Sequence, residues 1–221
     1  SLGTTLYVYD PANRLRQVIQ PLGKDIVYDY DDAGNLTQME YGDITVEYAY
    51  DTANRMTEVR EKKSGESDKV TTYTYNDAGD VLSKALPNDV KTSYTYDDTG
   101  RLTEIIHEKV NTDNTTTHLA SYRYTLDEAG NRTQIVEKRG AGANQTTRTL
   151  DYTYDDFGRL VEEDDSTRGV TTYEYDEAGN RLEKEFVPDQ ILGTNPKVVL
   201  SYTYGDDHRL KAIHLFPDFR V

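Results

Sequence analysis

The chain has no cysteine, only two methionines and no run of about 20 apolar residues. Without cysteine there is no disulfide framework and no thiol nucleophile. Without a long apolar run no helix of this chain spans a bilayer. Basic residues are outnumbered, 25 against 40 acidic, for a formal net charge of -15. That balance leaves no basic patch to displace counterions from nucleic-acid phosphates and disfavours anionic membrane surfaces. Aliphatic and phenylalanine side chains are also scarce: Leu, Ile, Val and Phe number 45 of 221. This is near the ~20% level below which chains tend to stay disordered.

Nineteen tyrosines fill that gap. Each can bury roughly 150–250 Å², so a stacked ladder of them supplies the apolar area the aliphatics do not. Eighteen of the nineteen fall into a pattern, and Tyr41 alone stands outside it. Tyr7 and Tyr9, Tyr28 and Tyr30, Tyr48 and Tyr50, Tyr73 and Tyr75, Tyr94 and Tyr96 are spaced by two. So are Tyr152 and Tyr154, Tyr173 and Tyr175, and Tyr202 and Tyr204. In the remaining copy Tyr124 is followed by Leu126, and Tyr122 lies two residues before Tyr124. A spacing of two puts both rings on one face of a strand. The residues before the pairs alternate as strands do, as in Val70-Thr71-Thr72-Tyr73-Thr74-Tyr75. Helix signals are nearly absent.

A turn follows each pair. Its first position holds Asp10, Asp31, Asp51, Asn76, Asp97, Asp127, Asp155 or Asp176, with Gly205 in the ninth copy. Three residues later stand Asn13, Gly34, Asn54, Gly79, Gly100, Gly130, Gly158, Gly179 and His208. Gly, Asn and His tolerate a left-handed backbone best, and an Asp at the turn start caps it with its own carboxylate. The pattern predicts a type I turn closed by a left-handed residue, hence a β-hairpin. A basic or amide residue and then an aliphatic follow, as in Arg14-Leu15, Arg55-Met56 and Arg159-Leu160. In six copies another aliphatic comes three residues on: Val18, Met39, Val59, Ile105, Ile135 and Ile213. A step of three changes face on a regular strand. Either the first aliphatic belongs to the turn or both faces carry burial.

The copies recur every 20 to 30 residues, the period of stacked supersecondary units that cannot bury their faces alone. The expectation is an all-β chain, residues 1–221 forming a single array of nine tandem hairpins. Two strands per copy give about 18 strands, ~85 Å of sheet at ~4.8 Å per strand. A sheet so wide is expected to curl into a continuous, spiralling antiparallel wall rather than stay flat. Polar connections at 62–68, 111–117, 140–146 and 188–196 read as protruding loops. The apolar tail Leu215-Phe216-Pro217-Asp218-Phe219 breaks the pattern. It either packs over the last hairpin or marks a truncation point. No signal peptide opens the chain, which starts in mid-repeat and reads as an excised segment of a larger protein.

Candidate chemistry is sparse. Acidic pairs recur at the turns (Asp31-Asp32, Asp97-Asp98, Asp155-Asp156, Asp176-Glu177, Asp206-Asp207), but no calcium-loop spacing accompanies them. They read as a capping Asp beside a solvated neighbour. His107, His118, His208 and His214 show no metal-ligand spacing, and no G-x-S-x-G elbow is present. The reading is of a non-enzymatic chain with no cofactor and no metal. Asn35, Asn114, Asn131 and Asn144 open N-x-T sequons that matter only in a glycosylating source. The tyrosine ladder reads as the packing layer of the sheet, hydroxyls hydrogen-bonded, with a sugar-stacking platform as the alternative.

The stretch Tyr94-Thr95-Tyr96-Asp97-Asp98-Thr99-Gly100-Arg101-Leu102 resembles the signature of YD repeats. These occur in rearrangement-hotspot (Rhs) proteins, insecticidal toxin-complex shell components, wall-associated bacterial proteins and animal teneurins. The resemblance runs from Tyr7 to about Leu215. It implies a hollow β-shell laid down hairpin by hairpin in a secreted or surface protein. That parent would enclose or present a C-terminal toxin or effector domain. The partners it implies are neighbouring repeats and that C-terminal domain. The alternative is an adhesion module binding glycan or protein. Rhs-type proteins carry a self-cleaving module resembling D-P-x-G. Asp10-Pro11-Ala12-Asn13 is the one Asp-Pro here, an ordinary turn copy to which autoproteolysis does not carry over. Exposed sheet edges would invite self-association.

Overall fold

A computed structural model of the chain describes residues 3–189, 197–205 and 207–218. They form eighteen strands of one antiparallel sheet and a single 3₁₀ turn, Gly142–Asn144. The chain divides into two compact units, Ser1–Tyr94 with His107–Thr117, and Thr95–Ile106 with His118–Val221.

In the first unit the strands are β1 (Leu6–Tyr9), β2 (Leu15–Ile19), β3 (Ile26–Tyr30), β4 (Leu36–Tyr41), β5 (Ile44–Tyr50), β6 (Met56–Lys63), β7 (Lys69–Tyr75), β8 (Val81–Ala85) and most of β9 (Val90–Tyr96). Each pairs with the next in sequence. The second unit holds most of β11 (Thr116–Leu126), then β12 (Arg132–Arg139), β13 (Thr146–Tyr154), β14 (Leu160–Asp165), β15 (Gly169–Tyr175), β16 (Arg181–Pro188), β17 (Lys197–Tyr204) and β18 (Leu210–Asp218), again a plain meander. Strand β10 (Leu102–Val110) contributes a part to each unit.

All nine corners have the geometry their residues call for. In the first, the Asn13 N–H donates to the Asp10 carbonyl at 2.9 Å and the Asp10 N–H donates to the Arg14 carbonyl at 2.9 Å. The same two bonds recur in every copy. The closing residue has positive φ throughout, from 58° at His208 to 97° at Gly79. Turns at the opposite hairpin ends copy the device twice, with Asp89 at φ 61° and Asn114 at φ 62°.

Register resolves the step of three. Tyr9 faces Leu15 and Tyr7 faces Val18, and the ladder skips Arg16 between them. The skipped residue is a β-bulge. It restores Leu15 and Val18 to the face carrying both tyrosines, because directly opposed residues share a face. The same shift follows the corner in the hairpins beginning at Tyr28, Tyr48, Tyr73, Tyr124, Tyr152, Tyr173 and Tyr202. Neither expectation for the aliphatic pair holds: the first aliphatic lies in the strand, and one face takes both.

Packing is correspondingly one-sided. The buried apolar side chains are Val18, Leu150 and Tyr202, and the buried polar ones Thr92, Glu137, Asp165 and Thr171. By register all of these sit on the tyrosine face. Among the described residues no side chain is completely enclosed. The tail departs from the expectation: Leu215–Asp218 extend β18 against β17, with Val199 facing Phe216. Strand Pro217 is tolerated because β18 has a neighbour on one side only among the described strands. Phe219 and most of the 188–196 connection lie outside the described residues. The 62–68 and 111–117 loops are shorter than expected, since β6 runs to Lys63 and β11 starts at Thr116.

The closing residue of a corner can be tested directly. A Cβ on Gly79 would meet nothing within 4 Å, so Gly79→Ala tests backbone strain alone. It should cost about 1 kcal/mol, seen as a lowered urea midpoint. Asn13→Gly, at φ 61°, should change stability by less than about 0.5 kcal/mol.

Candidate functional site

The functional residues expected from the sequence converge on the row of corners, where each hairpin grips the next. The second tyrosine of a pair donates its hydroxyl to a carbonyl of the preceding hairpin. Tyr30 reaches Leu15 O at 2.9 Å, Tyr50 reaches Leu36 O at 2.9 Å and Tyr75 reaches Met56 O at 2.6 Å. In the second unit Tyr154 reaches Arg132 O at 2.9 Å and Tyr175 reaches Leu160 O at 2.8 Å. The acceptor is always the residue just before the bulge, where the ladder is interrupted. Each ring therefore packs on the sheet while its polar tip is satisfied.

The arginine after the corner completes the grip from the other side. Arg14 Nε donates to the Asp10 carboxylate at 2.8 Å, and its Nη1 donates to the Asp31 carbonyl of the next copy at 2.9 Å. Its guanidinium lies 4.8 Å from the centre of the Tyr30 ring. Arg55 repeats this with Asp51, Asn76 O and Tyr75, and Arg159 with Asp155, Asp176 O and Tyr175. Arg101 makes both polar contacts, to Asp97 and Asp127 O, and Leu126 stands where a ring would be. Only a planar donor fork serves a carboxylate, a carbonyl and a ring face at once. Where Asn replaces Arg the reach shortens: Asn35 bonds Asp31 and Asn54, and Asn180 bonds Asp176 and His208.

These bonds set the electrostatics. The carboxyls of Asp10 and Asp51 titrate below the ordinary value, first because of the backbone N–H of Arg14 and Arg55. The side-chain amides of Asn35, Asn131 and Asn180 do the same for Asp31, Asp127 and Asp176. Asp97 is held lowest, by the Thr99 hydroxyl and then the Arg101 N–H. At Asp155 desolvation pushes up, and the bonds from Arg159 and Phe157 outweigh it. Burial raises the hydroxyls of Tyr50, Tyr124, Tyr152, Tyr154 and Tyr173.

A second polar centre, not anticipated from the residue pattern, lies on the tyrosine face at the opposite hairpin ends. Arg148 Nε donates to Asp165 at 2.9 Å, and a second bond joins its Nη2 to the other carboxylate oxygen. Asp165 is 3% exposed and also accepts from the Thr167 N–H and hydroxyl at 3.0 and 2.9 Å. Arg148 Nη1 lies 3.6 Å from Glu137, which Arg139 also contacts. The Asp165 carboxyl is strongly lowered, mainly by Arg148.

The remaining candidates are dispersed. The second members of the acidic pairs, Asp32, Asp98, Asp156, Glu177 and Asp207, are exposed at the turn tips; Asp206 lies outside the described residues. Among the described residues no three His, Asp or Glu side chains could hold a metal together. The histidines are far apart in role. His107 bonds Thr92 at 2.9 Å, His118 the Gly140 carbonyl at 2.8 Å, and His214 packs 6.2 Å from Phe216. Asp10-Pro11 has the same corner geometry as the other copies. Three turns lack the usual Ala at the tip and carry Thr99, Phe157 and Asp207. Phe157 is 84% exposed where six copies carry Ala, over a shallow groove of about 450 Å³ shared with Tyr175, Asp176 and Glu177.

The sequence model of the teneurin YD-shell family matches residues 5–187. No curated protein matches the chain. Among solved structures, the crystal structure of TcdB2-TccC3-TEV aligns over 92% of this chain and 14% of its own, at 17% identity and a TM-score of 0.53. That of TcdB2-TccC3 aligns over 90% and 13%, also at 17% identity and 0.53. This likeness is one of fold, and the chain spans only 14% of the longer one.

Two measurements check the site. Arg148→Met takes the two-bond cation from nearly enclosed Asp165, leaving it Arg168 at 3.8 Å, and should cost about 3 kcal/mol, whereas Arg209→Met, 87% exposed, should stay within about 0.5 kcal/mol. For pH, the folded state holds the corner carboxyls below their unfolded value of about 3.9, so the unfolded chain takes up protons first. The urea midpoint should hold or rise from pH 7 to 5 as the charge of -15 is relieved, then fall below about pH 4. A midpoint still climbing at pH 3 would contradict the assignment.

Proposed function

We propose a structural role from one premise: this chain belongs to the teneurin YD-shell family. It serves as a non-catalytic length of wall in a larger β-shell. In the parent protein, secreted or displayed at the cell surface, that shell encloses or presents a C-terminal toxin or effector domain. The neighbouring repeats and that domain are its partners, and residues 1–221 act as a single array of repeats. The tyrosine pairs, corner aspartates and left-handed corners serve as the repeat's structural motif.

The observation that carries this reading is the thinness of the sheet. The accessible surface is 14990 Å², whereas two compact units sharing 25.2 kDa would have roughly 12,400 Å² together by size scaling. The chain binds itself strand to strand and keeps both faces available, as a wall does. The solved structures of similar fold are far longer, which agrees with a segment of a larger enclosure.

The test uses the full parent chain. Replacing Arg55 and Arg159 together by Ala loosens two hairpin junctions. The domain beyond the repeats should then become several-fold more sensitive to protease, with its own folding unchanged. Equal sensitivity with and without the substitutions would count against enclosure.

One observation favours a second reading, adhesion through a glycan. Architecture explains what recurs, yet Phe157 departs from the repeat and is 84% exposed beside Asp176 and Glu177. Arg159 lies over one face of the Phe157 ring, 5.1 Å from its centre, and the other face, near those carboxylates, suits a neutral pyranoside, ring on ring with hydroxyls donating to the acids. Saturable binding of a neutral oligosaccharide, lost in Phe157→Ala, would favour adhesion. Silence would leave the wall.

A further inference from the structure

The second polar centre, on β12, β13 and the β14–β15 turn, is an alternating row of charges. Glu137 stands between Arg139 and Arg148, and Asp165 between Arg148 and Arg168. Each acid has an arginine on both sides, so the row ends in a cation at either end. The middle of the row is fully engaged: Arg148 gives two hydrogen bonds to Asp165 and lies 3.6 Å from Glu137. The ends are not.

Arg168 closes the turn that begins at Asp165. Its N–H donates to the Asp165 carbonyl at 3.0 Å, and its carbonyl accepts from the Asp189 N–H at 2.9 Å. The backbone is thus pinned on both sides. Its guanidinium, 72% exposed and 3.8 Å from Asp165, makes no hydrogen bond among the described residues. Arg139 uses Nε on Glu137 and Nη2 on the Tyr122 hydroxyl at 3.3 Å, which leaves its Nη1 idle. Both end cations line one cavity of about 290 Å³, together with Glu137, Arg148, Thr146 and Thr147. The hydroxyls of these two threonines have no partner among the described residues. Glu163, on the same face, stands opposite Tyr152, and neither it nor Asp165 lines the cavity. The wall therefore sets three arginines against one glutamate, in a chain whose net charge is -15.

We propose that this cavity binds a tetrahedral oxyanion, a phosphate or sulfate group, between the Arg139 and Arg168 guanidinium groups, with the threonine hydroxyls as further donors. A planar carboxylate fills one guanidinium fork. A tetrahedral group has acceptors on every side and serves two forks at once. The volume lies at the low end for ligand sites, roughly 300–1,000 Å³, and the acidic remainder of the chain repels an extended polyanion. The ligand is therefore a free ion or a single ester group on a small molecule. The site does not depend on enclosure, so its failure would leave the wall reading intact.

The test is titration of the whole chain with inorganic phosphate and with sulfate, at an ionic strength fixed with chloride and followed by amide NMR. The amide signals of Thr146, Thr147, Thr167 and Arg168 should move and saturate together with one dissociation constant. Arg168→Gln should raise that constant about tenfold while its urea midpoint stays with that of the unmodified chain. Arg123→Gln, 71% exposed and paired with Glu104, should leave the constant unchanged. A sugar phosphate separates the two sources: tighter binding than inorganic phosphate marks an ester and equal binding the free ion, and both support the site. The proposal is overturned if chloride produces the same shifts, if no saturation is reached, or if Arg123→Gln weakens binding as much as Arg168→Gln.

Discussion

A sheet one layer thick has no core to fall back on, so everything in this molecule rests on the junction between consecutive hairpins. An isolated two-stranded hairpin is marginal in water. Here each is held by its neighbours through main-chain pairing and, in the copies that carry them, a tyrosine hydroxyl bonded backward and an arginine reaching forward. Stability then behaves as a sum of nearest-neighbour terms. The bulge is what makes the junction possible. It turns two aliphatics onto the tyrosine face and interrupts the ladder at the carbonyl the next hydroxyl takes.

Substitutions between copies show which part of the junction is chemistry and which is shape. Asn76 and Asp80 exchange the usual acid and amide, and the hydrogen bond survives with donor and acceptor reversed. Where an aliphatic opposite the first tyrosine is replaced by Lys84 or Lys184, the ammonium sits 5.8 or 5.7 Å from the centre of the Tyr73 or Tyr173 ring. The lysine stem fills the apolar space and the charge takes the ring's negative face. Shape is kept while the group changes.

Much of this was legible in the residues. Nine corners were placed by Gly, Asn and His at one offset, and all nine have positive φ. The shared face of the tyrosines followed from a spacing of two. The bulge was hidden because a step of three fits a change of face as well as an extra residue, and only register separates them. The forward reach of Arg14 or Arg101 was hidden too, since its acceptor lies 17 or 26 residues downstream and depends on that same register. Asp165 gave no contrast in a chain so rich in acid; its burial comes from facing Leu150 beside Arg148. The tail read as a break because its apolar residues lack the Tyr-x-Tyr stamp, although β17 supplies a partner for them.

Charge is spread unevenly over the two faces of the sheet. On the face away from the tyrosines in the second unit, acids oppose acids: Asp151 faces Asp164 and Glu174 faces Glu183. Directly opposed like charges weaken a sheet slightly, so their presence needs a different reason from stability. Part of the repulsion is offset on that same face, where Gln134 donates to Asp151 at 2.7 Å and Lys197 pairs with Glu185. The arginines of the junctions are meanwhile engaged with corner carboxylates and rings. The stability of the sheet is thus carried by the tyrosine face, and the opposite face is free to carry charge.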